Sequence, residues 1–124
     1  MKINSHRELE VYKMALEGTM KIFEITKTFP KSELYSLTDQ IRRSSRSVCA
    51  NLAEAFRKRK YPKHFISKLN DVQGEAAETQ VWIEIAMQCE FIGPQLAKQL
   101  DEHYEKILKK TTQMTLHPES WSIE

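Results

Sequence analysis

Residues 37–58 read LTDQIRRSSRSVCANLAEAFRK, and the apolar or small members Leu37, Ile41, Ser44, Val48, Leu52 and Ala55 recur at steps of three and four. That period places them on one face of an α-helix. A half-buried strand would alternate every second residue, and this stretch does not. Serines at 44, 45 and 47 carry little bulk, so a neighbouring helix can approach this one closely.

Outward from this helix, glycines and prolines divide the chain into three more helical stretches. A first helix is expected from Ser5, an N-cap with Glu8 as its capping-box partner, to about Thr28, where Phe29-Pro30 stops it. It carries two apolar stripes, Leu9, Tyr12, Leu16, Met20, Phe23 and, beside it, Val11, Ala15, Ile22, Ile25. Either the helix packs between several neighbours or one stripe meets another subunit. Residues 30–36 form a connection with room for one helical turn. After the loop Arg59-Lys60-Tyr61-Pro62, a third helix is read from Pro62 to Phe91 along Phe65, Leu69, Val72, Ala76, Gln80, Ile83 and Met87. Gly74 inside it marks a close helix contact or a slight bend. Ile92-Gly93-Pro94 is the clearest break, with Gly93 suited to a helix C-terminus and Pro94 to the start of the next helix. The fourth helix carries Leu96, Leu100, Tyr104, Ile107, Leu108, Thr111 and Met114 and ends at His117-Pro118. The expectation is an all-α fold, an antiparallel up-down-up-down four-helix bundle over residues 1–117, with a loose tail at 118–124 that includes Trp121.

Composition narrows the function classes. A chain of 124 residues that is 40% hydrophobic can bury one core without staples. No run approaches the apolar length of a membrane span and the start lacks a signal-peptide apolar region, so the expected compartment is the cytoplasm and no membrane partner is expected. Cys49 and Cys89 stand forty positions apart with no CxxC, and both are read as reduced, packed thiols. Three glycines leave no phosphate-cradling loop. No Glu-x-x-His pair of the di-metal bundles and no HExxH motif occurs. His6, His64, His103 and His117 are scattered and read as surface or partly packed. Neither a metal, a cofactor, a catalytic residue nor a small-molecule substrate is expected.

Two signatures resemble those of a known family. Phe29-Pro30, Glu33, Tyr35, Leu37, then Gln40-Ile41-Arg42-Arg43-Ser44 and Ser47-Val48-Cys49-Ala50-Asn51-Leu52-Ala53-Glu54 resemble the 23S rRNA intervening sequence proteins, whose relatives include the accessory variability protein of diversity-generating retroelements. Gly74-Glu75-Ala76-Ala77-Glu78-Thr79-Gln80-Val81-Trp82 is similar to the second family signature, and Phe91-Ile92-Gly93 to its helix ending. The likeness spans about residues 7–110. Ala55 stands where the family usually has glycine, and Gly74-Glu75 where many members have Gly-Ser. The resemblance implies a closed antiparallel bundle and, for several relatives, a homopentameric ring with a basic surface. It also implies association with structured RNA or, in the retroelement branch, with a reverse transcriptase, and no enzymatic activity is established for the family as a class.

The formal net charge of +2 hides a segregation. Residues 36–70 hold nine basic and two acidic side chains, whereas residues 71–124 hold four and ten. Arg42, Arg43 and Arg46 can line one side of the second helix, and Arg57, Lys58, Arg59, Lys60 and Lys63 carry the charge through the following loop. Guanidinium groups suit phosphate oxygens, and Tyr61, His64 and Phe65 offer rings for stacking. Arg46, Arg57, Lys58, Arg59, Lys60 and Lys63 are the candidate nucleic-acid contacts, with phosphate binding and simple solubility evenly weighed for the 57–63 cluster. For Arg42 and Arg43, ion pairing with the acidic third and fourth helices is favoured, in a polar seam with Asn51, Glu54 and Glu78. Trp82 is either a second core contact or an oligomer anchor, and Trp121 is a candidate for docking on a neighbour. These residues describe a non-enzymatic homo-oligomer that binds RNA or another nucleic acid. The alternative is an assembly or adaptor protein whose charges serve only protein contacts.

Overall fold

The computed structural model describes residues 3–121. Four helices make up most of it: α1 (Glu10–Thr26), α2 (Leu37–Arg57), α3 (Pro62–Gln88) and α4 (Pro94–Leu116). No strand occurs among the described residues. Each helix packs on the next, and α1 closes the ring against α4. Among the described residues no Cα of α1 comes within 8 Å of one on α3, nor of α2 within 8 Å of one on α4, so these are the diagonal pairs.

The contacts run in opposite numerical directions at each of these four seams. Thr19 bonds the Ser45 carbonyl while Thr26 receives Arg42, and Ser44 meets Thr79 while Glu54 meets Lys68. Gln73 reaches Thr112 while Gln80 reaches the Asp101 carbonyl, and His103 bonds the Met14 carbonyl while Leu9 and Met114 line one cavity near the other end. Neighbouring helices are therefore antiparallel, as the short connections require.

The α2 stripe is buried throughout: Leu37, Ile41, Ser44, Val48, Leu52 and Ala55 all face the core. Ser44 and Ser45 are fully buried, which lets α1 and α3 approach α2 on both sides. On α3 the buried line is Phe65, Leu69, Val72, Ala76, Thr79, Ile83 and Ala86, so it passes through Thr79 where Gln80 was expected. Gln80 instead points to α4, bonding Asp101 and Glu105. The second of the two α1 stripes is the inner one, with Val11, Ala15 and Ile22 buried, while Leu16 and Met20 of the other remain exposed.

Several local expectations are corrected. Ser5 and Glu8 form the expected capping box, but it closes a separate 3-10 turn at His6–Glu8, and α1 begins only after the extended, buried Leu9. The connection holds the helical turn for which it had room, at Lys31–Glu33. Gly74 is exposed and has nothing within 4 Å of where a Cβ would stand, so it marks no close contact. The close approach is at Gly18 on α1, against Tyr104. The helix before Gly93 ends earlier, at Gln88, and it is Glu90 that takes the left-handed conformation, with φ 63°. Gly93 is extended and precedes α4 as its N-cap. Cys49 is partly buried beside Thr19, but Cys89 is exposed and not packed. Where a loose tail was expected from residue 118, Pro118–Ser120 form a 3-10 turn and Trp121 rests on the core, while residues 122–124 lie outside the described part.

Candidate nucleic-acid interface

Successive residues of a helix point about 100° apart, and this separates the arginines that looked like one row. Arg42 turns toward α1, where its Nε donates to Thr26 Oγ1 at 2.8 Å and its guanidinium lies over the Phe23 ring at 5.0 Å. Arg43 turns toward α3 and pairs with both Glu75, at 3.4 Å, and Glu78. Arg46 is exposed and, among the described residues, has no carboxylate partner. The three therefore do not form a common patch.

The α2–α3 seam is a continuous polar chain. Asn51 Nδ2 donates to the Ser47 carbonyl and hydroxyl, Ser47 Oγ donates to Glu75 at 2.9 Å, and Arg43 closes the chain across Glu75 and Glu78. Burial opposes ionisation of Glu75, but the Ser47 hydroxyl and the Arg43 charge outweigh it and hold the carboxyl below its ordinary range. Glu78 is pushed the other way, by burial and by its carboxylate neighbour Glu75. Glu54 lies further along and pairs with Lys68 at 3.0 Å. Of the five seam candidates, Arg43, Asn51 and Glu78 are thus joined in one chain, Glu54 forms a separate pair, and Arg42 faces another seam.

Beyond Glu54, where α2 turns into α3, the His6–Glu8 turn packs beside α2. Between them opens a groove of about 880 Å³ lined by His6, Ala53, Glu54, Arg57, Lys58, Tyr61, His64 and Lys68. Pro62 stands in the first turn of α3, where its missing N–H leaves no helical bond unmade. Arg57 and Lys58 enter the groove from the candidate set, while Lys60 and Lys63 are exposed outside its lining and Arg46 sits further up α2. Arg59 does not join them. Its Nη1 donates to the Phe56 carbonyl at 2.8 Å and its guanidinium stacks 3.7 Å from the Phe56 ring, so it closes the end of α2.

The rings are also sorted. Phe65 is buried in the core and unavailable for stacking, whereas Tyr61 is 56% exposed and meets His64 edge-to-face at 5.9 Å. His6 is a groove residue that the sequence left unassigned. It packs edge-on against Tyr12, and burial with the nearby Arg7 and Arg57 charges pushes its pKa down. Lys68 was likewise unassigned, because its partner Glu54 lies on another helix. Of the tryptophans, Trp82 is half-buried with its Nε1 buried and unbonded, and Trp121 roofs a second cavity with Leu9, Val11 and Met114. Among the described residues no group of three or more His, Cys, Asp or Glu could hold a metal ion, and no helix is long and apolar enough to cross a membrane.

Comparison with solved structures finds a crystal structure from Bacteroides thetaiotaomicron, described as a protein of unknown function from the S23 ribosomal protein family. It superposes with a TM-score of 0.77 at 27% identity, covering 85% of this chain and 97% of that one. No curated protein matches. The model of the 23S rRNA-intervening sequence protein family matches residues 7–113, a span that takes in all of α1 to α3, most of α4 and every groove residue except His6. With both signatures placed on the α2–α3 seam of a four-helix bundle, the chain belongs to the 23S rRNA-intervening sequence protein family.

Proposed function

We propose that the chain is a non-enzymatic, self-assembling bundle of the cytoplasm that presents the groove and its surrounding cations to structured RNA. The observation that carries this reading is the sorting of charge on α2 and α3. Arg43 and Lys68 are neutralised by carboxylates across the seam. Arg46, Arg57, Lys58, Lys60 and Lys63 have no carboxylate partner among the described residues and cluster mainly where α2 gives way to α3. A cluster kept for solubility gains nothing from being gathered at a concavity, whereas phosphate binding does.

Two apolar stripes support self-assembly. Leu16 and Met20 on α1 are 43% and 51% exposed, and Val81 and Ile85 on α3 are 48% and 39% exposed. Because α1 and α3 are diagonal, these patches lie on opposite sides of the bundle. Patches so placed join head to tail, and a head-to-tail contact that closes makes a ring. Five copies is the number that the family resemblance implies. A few cations per protomer bind weakly at physiological salt, but a ring shows several such sets to one polyanion together.

Binding to a structured RNA over a salt series tests the reading. The logarithm of the association constant should fall linearly with the logarithm of salt concentration, and Arg57→Glu with Lys60→Glu should flatten that slope by about 2. Arg59→Glu is a poor probe, since it would also open the end of α2. No detectable binding at low salt, or an unchanged slope in the double variant, would leave the charges to protein contacts, as in an adaptor.

A further inference from the structure

We propose that the groove between the His6–Glu8 turn, the end of α2 and the start of α3 accepts one unpaired nucleotide of an RNA strand, its base against Tyr61 and its phosphodiester on Arg57 and Lys58. This deepens the RNA-binding reading above and rests on it.

A duplex offers a protein its phosphates and hides the faces of its bases, so a convex cationic surface is enough to hold it. This surface is concave and lined by rings. Tyr61 is more than half exposed although it stands on the groove wall, and the edge of His64 braces it. His6, also in the lining, packs edge-on against Tyr12, and burial with the Arg7 and Arg57 charges lowers its pKa, which favours the neutral imidazole. Between these rings the walls are mostly carbon, and a flat base would displace water from them.

The charges fit the other half of a nucleotide. Arg57 and Lys58 are unpaired on the rim. Glu54, the one carboxylate in the lining, is held by Lys68 Nζ at 3.0 Å, so it does not face an incoming phosphate as a bare charge. The volume of about 880 Å³ is within the range of sites that enclose a small ligand, and the open side leaves a path for the strand on either side of the flipped base. Stacking with cation contact is how unpaired nucleotides are held without reading their sequence. A free mononucleotide shares this chemistry, and the experiment separates the two sources.

The test uses the full chain at low salt with an RNA hairpin bearing a single bulged 2-aminopurine, the same hairpin fully paired, and AMP as competitor. The bulged hairpin should bind about tenfold more tightly than the paired one, with quenching of the 2-aminopurine emission on binding. Tyr61→Ala should abolish that preference and Tyr61→Phe should keep it. Tyr61 is exposed enough that both variants keep their helix content by circular dichroism. Equal binding of the two hairpins, or a preference that survives Tyr61→Ala, overturns the nucleotide pocket and leaves RNA binding by the wider surface standing. Failure of both hairpins to bind overturns both readings. Displacement of the bulged hairpin by AMP at concentrations near the hairpin's own Kd would assign the groove to free nucleotides and overturn the strand assignment.

Discussion

Gly18 and Tyr104 show how one residue sets the distance between two helices. A Cβ at Gly18 would stand 2.8 Å from the Tyr104 Oη and 3.0 Å from its Cζ, so only glycine admits the ring. Tyr104 is fully buried, its hydroxyl lies near Thr19 without forming a well-aligned hydrogen bond, and burial, with the nearby Cys49 thiol, drives its pKa well above the ordinary phenol value. Gly18→Ala should therefore destabilise the fold by about 1–2 kcal/mol in urea unfolding, the clash exceeding the gain in helix propensity. Tyr104→Phe removes an unsatisfied polar atom and should be neutral or stabilising. In that background Gly18→Ala should lose only part of its cost, because Cζ and Cε2 would still stand 3.0 and 3.1 Å from the new Cβ, and additive effects would show that the hydroxyl carries none of the clash. None of this was legible in the sequence. Gly18 lies inside an amphipathic helix as Gly74 does, and only the position of a tyrosine 86 residues away tells the constrained glycine from the free one.

At the scale of elements, the faces that point inward were legible and the ends of helices less so. The α2 stripe came through unchanged because its i, i+3, i+4 pattern has one solution. On α3 Thr79 and Gln80 compete for one core position, and the shorter Thr79 goes inside because it bonds Ser44 at 2.8 Å and its own Glu75 carbonyl. The end of α3 was misplaced because glycine is the usual left-handed residue, whereas here Glu90 takes that conformation and Phe91 N–H bonds back to the Ala86 carbonyl. Of the candidate site, the basic cluster was legible as charge, but its division into paired and unpaired members depends on which carboxylates α3 brings alongside. The seam allows a test. Glu75→Ala removes the acceptor for both Ser47 and Arg43 and should cost about 1–2 kcal/mol at pH 7. Because Glu75 titrates below its unfolded value of about 4.3, its stabilisation is full above that pH and is lost as pH falls through the folded value. Glu78, raised in pKa, acts with the opposite sign, its contribution fading as pH rises through its folded value. The difference between wild type and Glu75→Ala should accordingly shrink as urea titrations are taken from pH 6 toward pH 3. A difference constant with pH would mean that packing, not charge, carries the seam.

For the whole molecule, the near-neutral total of +2 is a poor guide, because the basic stretch lies on α2 and the start of α3 and the acidic stretch on the rest of α3 and α4. Part of the imbalance is spent inside the protomer at Arg43 and Lys68, and the rest remains at the groove and on the α3–α4 face. On that face burial and the neighbouring Glu105, Glu84 and Glu102 charges push the Asp101 pKa up. The α1 stripe is bordered by both signs of charge, Lys13, Glu17 and the Lys27–Glu24 pair, so a head-to-tail contact with the Val81–Ile85 stripe would be matched chiefly apolar to apolar. This arrangement predicts more than a mass. Leu16→Ser with Met20→Ser removes the α1 face and leaves the α3 face, while Val81→Ser with Ile85→Ser does the reverse. Each variant alone should be monomeric by light scattering, with its melting temperature little changed because the four side chains are exposed. Mixed in equal amounts, they should form a heterodimer and nothing larger, since one intact α3 face meets one intact α1 face and the outer faces are both spoiled. A mixture that stays monomeric would mean that the two stripes do not meet each other, and an isologous contact would instead leave one of the two variants dimeric by itself. The heterodimer also isolates the contribution of avidity. It carries two grooves where a ring carries more, so its RNA affinity should fall between those of the single-groove monomers and the wild-type assembly, with the same dependence on Arg57 in all three.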